Sequence, residues 1–132
     1  MPSVSGANLT LTTVNNQVTI RVQYNVTFNK FDRQLSGLGK TWHSHVTVHG
    51  MDGATVGPNL ANLPRQTFAV TVGNTNQVIA ADRSVTVARS VLQEDPAVGD
   101  NDELKAKIRI HSPEPMDVFT PDVFTDQEIL FG

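Results

Sequence analysis

Val18, Ile20, Val22, Tyr24, Val26 and Phe28 alternate with polar or charged residues along Gln17–Phe28 without one slip. Unbroken period-2 alternation marks a β-strand with one face buried. It also sets a register, because a shift of one residue would turn every apolar side chain to water. A chain that contains such a strand needs a second apolar layer to cover it. The neighbouring segments supply candidates. Leu9 and Leu11 alternate with Thr10 and Thr12 in Asn8–Val14, and Asn15-Asn16 tolerates the left-handed backbone of a tight hairpin into Gln17. In Lys40–His49, Trp42, Ser44, Val46 and Val48 share one face and His43, His45, Thr47 and His49 the other. Thr67–Val72 resumes alternation through Phe68, Val70 and Val72. Gln77–Leu92 does so through Val85, Val87 and Val91, with a bulge or break expected near Ala80–Arg83, where Val78 and Ile79 fall out of phase. Leu104, Ala106, Ile108 and Ile110 then oppose Lys105, Lys107 and Arg109, giving a strand with a wholly basic outer face.

Between these strands, residues 29–40 read as a loop and residues 50–66, rich in glycine and proline, as a long crossover connection. The C-terminal stretch carries a near-repeat, Asp117–Thr120 and Asp122–Thr125, both DVFT and offset by five residues. Five is neither a strand nor a helix period, so these read as short edge segments that pack Phe119 and Phe124 onto the body. Together the pattern predicts an all-β single domain over 1–132. Its architecture is an antiparallel β-sandwich of about 7–8 strands, an immunoglobulin-like or C2/jelly-roll-like Greek key.

The totals exclude several function classes. There is no cysteine, hence no disulfide, thiolate metal site or cysteine nucleophile. Ten basic and thirteen acidic residues give a net charge of −3, and no run of Lys or Arg tracks a phosphate backbone, which argues against nucleic acid as a partner. No apolar run approaches the ~18 residues of a membrane span, and the first residues lack the basic and apolar regions of a signal peptide. A cytoplasmic protein is therefore expected, or a secreted one if a signal precedes these residues. No nucleophile elbow, phosphate-binding glycine loop or H-E-x-x-H helix occurs.

Three places carry candidate chemistry. His43, His45 and His49 project from one face of a strand, with the first two about 7 Å apart, near enough to share one transition metal. Gly37 followed by His43-Ser44-His45 resembles the start of the first cupin motif, in which a glycine precedes a His-x-His metal pair. The positions of that family's next ligand, a glutamate, hold His49 and Gly50 here. The resemblance implies a small metal-dependent enzyme with His49 in the glutamate's place. The second candidate is Glu94, Asp95, Asp100, Asp102 and Glu103, five carboxylates on one loop that could give calcium its hard oxygens. Its composition resembles the acidic loops of C2-type domains. Third, Asp32 and Arg33 directly follow the long strand, where loop residues of a sandwich gather for binding or form a structural turn. The function expected from these features is non-enzymatic binding or assembly, with calcium ordering the acidic loop. A protein partner or self-association is expected over a small molecule, and the cupin-like metal enzyme is the alternative.

Overall fold

The computed structural model describes residues 2–52, 55–92, 102–112, 118–120, 122–125 and 128–130. It is an all-β sandwich of two antiparallel sheets. The smaller sheet holds β1 (Ser3–Val14), β2 (Gln17–Phe28) and β6 (Gln77–Ala88), in the order β1-β2-β6. The larger is built on β3 (Trp42–Asp52), β4 (Thr55–Asn62), β7 (Asp102–Ser112) and β10 (Glu128–Leu130), in the order β10-β7-β3-β4. Short strands flank it: β5 (Thr67–Phe68) on β3, and β8 (Val118–Phe119) and β9 (Val123–Phe124) on β7.

β2 is the centre of its sheet, paired with β1 on one side and along its whole length with β6 on the other, from Gln17↔Ala88 to Phe28↔Gln77. All six of its alternating apolar residues are buried. They face Trp42, Val46 and Val48 of β3 and Leu104, Ala106, Ile108 and Ile110 of β7, and these two rows form the opposite wall of the core. Phe28 closes one end against Trp42 and Phe68, with ring centroids at 5.9 and 5.6 Å. Asn15 takes the left-handed backbone that its hairpin requires, at φ 56°. Gly6, at φ 62°, sits where the β1–β2 register slips between Ser5 and Asn8.

Several details differ from the expectations. Among the described residues there are ten strands where about seven or eight were expected, because the C-terminal stretch pairs in three short pieces and residues 50–66 contain β4. That segment does not cross between sheets. It folds back on β3, with register slips at His49 and Met51 that accommodate its glycine and proline. The crossing comes later, from β5 to β6. Only Thr67–Phe68 of the expected Thr67–Val72 strand pairs. Beyond it side chains replace a strand partner: Gln77 accepts from the Thr71 amide and donates to the Ala69 carbonyl, and Ser36 donates to the Val70 carbonyl. β6 has no break at Ala80–Arg83. Ile79, Ala81, Arg83, Val85 and Val87 make one continuous inward row, and Val78 lies on the outer face at 61% exposure.

Residues 29–40 hold a helix, α1 (Lys30–Gly37), where a loop was expected. A capping box starts it: the Asn29 side chain accepts from the Asp32 amide at 2.8 Å, and the Asp32 carboxylate accepts from the Asn29 amide at 3.0 Å. Replacing Asn29 with alanine is expected to cost about 1 kcal/mol in a urea melt, and Asn29→Asp, which keeps the acceptor, much less.

The DVFT repeat acquires a structural meaning. Thr120 and Thr125 are buried, and each makes a reciprocal pair of bonds to one residue of β7. The Thr120 amide donates to the Ile110 carbonyl at 2.9 Å, and its hydroxyl accepts from the Ile110 amide at 3.0 Å. Thr125 does the same to Ala106, both at 2.9 Å. In the ladder Phe119 opposes His111 and Phe124 opposes Lys107, so five residues of tail span four of β7. Each unit thus carries one bulged residue. Phe124 does not pack onto the body as expected; it is 39% exposed, and the threonine holds the unit instead.

Candidate functional site

Side-chain alternation along paired β3 and β7 sends one set of residues into the core and the other outward. The outward set is read across the ladder as His43 beside His111, His45 beside Arg109, Thr47 beside Lys107 and His49 beside Lys105. Trp42, Val46 and Val48 take the inner face, as their larger apolar area favours. Ser44 also points inward and is fully buried, with its hydroxyl accepting from the Gln66 amide at 3.1 Å and its own amide donating to the Gln66 carbonyl at 2.8 Å.

On the outer face the structure joins His43 and His45 to His111 and not to His49. His45 Nε2 lies 3.3 Å from His111 Nδ1, with ring centroids at 5.3 Å. One of the two nitrogens carries the shared proton. His43 Nδ1 lies 3.0 Å from the Thr67 hydroxyl. His49 is buried and engaged at both nitrogens. Its Nδ1 is 3.0 Å from the Gly57 carbonyl, which can only accept, so that nitrogen bears the proton. Its Nε2 then accepts from the Thr47 hydroxyl at 2.7 Å. Among the described residues no group of three His, Asp or Glu side chains is placed to hold a metal ion.

Arg65 and Arg109 act on these imidazoles. Burial, then Arg65, then His111 hold His43 below its ordinary value near 6.5. Burial also lowers His45, helped by His111, Arg109, Arg65 and His43. Both rings therefore favour the neutral form in the folded chain, whereas in the unfolded chain they titrate near 6.5. Between the depressed folded value and 6.5 the unfolded state binds more protons, so their contribution to stability is present above about pH 6.5 and is lost on acidification. The melting temperature is expected to fall from pH 7.5 to pH 5, with a shallower slope for His43→Gln/His45→Gln.

Two described carboxylates lie on this side: Asp122 is 4.0 Å from Arg109 Nε, beside His45 in the ladder, and Glu103 is on β7 two residues before Lys105. Of the acidic stretch, Glu103 is half-buried in β7 and Asp102 opens that strand, while Glu94, Asp95 and Asp100 lie outside the described residues.

Asp32 and Arg33 are both engaged within the fold. Asp32 is buried in the capping box of α1. Arg33 donates to the carbonyls of Thr71 at 2.7 Å, Thr75 at 2.8 Å and Val72 at 3.3 Å, and so fastens residues 71–75 to the helix. A Cβ at Gly73 would lie 2.2 Å from that guanidinium, so any larger residue there would push Arg33 off these carbonyls.

The basic face of β7 was visible in the sequence, and the histidine row of β3 too. That they form one surface depends on the β3–β7 register, which no local pattern carries. No protein-family model, curated protein or solved structure matches the chain.

Proposed function

We propose that this protein is a non-enzymatic binding module that docks an acidic polypeptide across the outer face of β3 and β7. One observation carries the reading: His43, His45, His111, Lys107 and Arg109 share the outer face of β3 and β7, and Arg65 acts on the imidazoles from the connection between β4 and β5, in a chain whose net charge is −3. Cationic and imidazole N–H groups make charge-assisted hydrogen bonds to carboxylates, and a concentrated positive field steers an acidic partner to the face. His43 and His45 add a pH response. A bound carboxylate favours their protonated form, so binding takes up protons and tightens as pH falls. No helix among the described residues is long and apolar enough to cross a membrane.

The test is fluorescence anisotropy of a labelled polyglutamate peptide at low salt, read at pH 7.5 and pH 5.5. The expected result is binding that strengthens at the lower pH and weakens with added salt. No binding at either pH would discard the reading. A melting temperature raised by zinc or nickel in a chain that ignores polyglutamate would turn the face over to metal chemistry. The calcium expectation for residues 94–103 rests on their composition, and a melt of chelator-treated protein with calcium added back reads it.

A further inference from the structure

We infer that the outer edge of β7 is a docking groove for an extended Asp-Val-Phe-Thr segment, and that the C-terminal stretch of a second copy fills it in place of the chain's own. The grip is modular. Two units of the same sequence hold two sockets, Ile110 and Ala106, by the same reciprocal bonds at 2.9–3.0 Å. Every group used is either backbone or the threonine hydroxyl. A segment arriving from another molecule brings all of them. In the second unit Asp122 and Phe124 are exposed and Val123 is half-buried, so the buried Thr125 is its main hold on β7. The ladders are short, with two residues in each of β8 and β9 and three in β10, so the strand can release one piece at a time.

The sequence between β7 and β8 favours exchange. Residues 113–117 link β7 to β8 in the sequence and contain two prolines. Pro113 and Pro115 bias Ser112 and Glu114 towards extended backbone, which suits a tail that leaves its own body. Docking on the chain's own β7 profits from a high effective concentration, roughly millimolar for a short flexible link, and the prolines reduce that advantage. Exchange between two copies is reciprocal, each tail lying on the other's β7, and gives a closed dimer.

The chain has no cysteine, which allows a direct test on the full-length protein. Lys107 and Phe124 are direct ladder partners on β7 and β9. Chains carrying Lys107→Cys are mixed with chains carrying Phe124→Cys, incubated together at high concentration, oxidised, and resolved by mass. Exchange gives the mixed disulfide dimer in excess of random thiol pairing, and dilution before oxidation removes the excess. Adding Thr120→Val/Thr125→Val to the Phe124→Cys chain abolishes the excess, whereas Thr120→Ser/Thr125→Ser keeps it. Mixed dimer at the random share at every concentration overturns the inference. An excess that survives the valine substitutions overturns the role of the threonine sockets.

Discussion

Phe28→Ala is expected to lower the stability of this protein by about 3–5 kcal/mol, measured as a shift in the urea midpoint. Phe28 has no exposed surface and touches both sheets, with Trp42 on β3 and Phe68 on β5 against its ring. Truncation removes the transfer energy of a full aromatic side chain and leaves a cavity between two other rings. Trp42 and Phe68 are ladder partners on β3 and β5, and that pairing limits how far their rings can close into it. Domains of this size hold about 5–15 kcal/mol in total, so one substitution removes a large share. Phe28→Leu fills most of the volume and is expected to cost less than half as much. A loss below 1 kcal/mol for the alanine variant would show that this end of the sandwich is loosely packed.

Arg65→Glu combined with Lys107→Glu is expected to weaken polyglutamate binding roughly ten- to hundredfold while leaving the melting temperature within a few degrees. Arg65 is exposed and Lys107 half-exposed, so neither substitution disturbs the core. The effect on affinity is double, since each reversal removes an attraction and introduces a repulsion. Glutamate at position 65 would also stand beside His43 and His45, both of which Arg65 now depresses. Their values should rise, and the stability lost on acidification should shrink with them. Unchanged affinity in the double variant would remove this face as the docking surface, and a changed pH slope with unchanged affinity would confine the arginine to tuning the imidazoles.

The parts of the fold that sequence reveals are those where one side-chain period acts alone. β2, the core of β7 and the two faces of β3 were legible because alternation there is regular and each strand is buried on one side. β4 was hidden because its glycine and proline mimic a loop, and the register slips that admit them exist only once β3 lies alongside. α1 was hidden by its length, eight residues with a mostly polar surface, although Asn29 and Asp32 at the spacing of a capping box were a readable signal. The phase fault in β6 came from treating Val78 as a core residue, when it is an exposed valine on the outer face. For the candidate site, residue types were legible and partnerships were not. His43 and His45 share a strand with His49, yet the ring that meets His45 is His111, sixty-six residues away. Arg33 in the same way spends its donors on carbonyls about forty residues on.

Thr120 and Thr125 let a hydroxyl stand where a strand would present a carbonyl. Among the described residues this margin of the larger sheet is made of three short separate strands, β8, β9 and β10, so it is punctuated. A punctuated margin offers no uninterrupted row of amides on which further chains could stack. Growth of ordered aggregates needs such a row, repeated at one spacing from molecule to molecule. A sheet finished by short gripping units is therefore a poor template for stacking further chains.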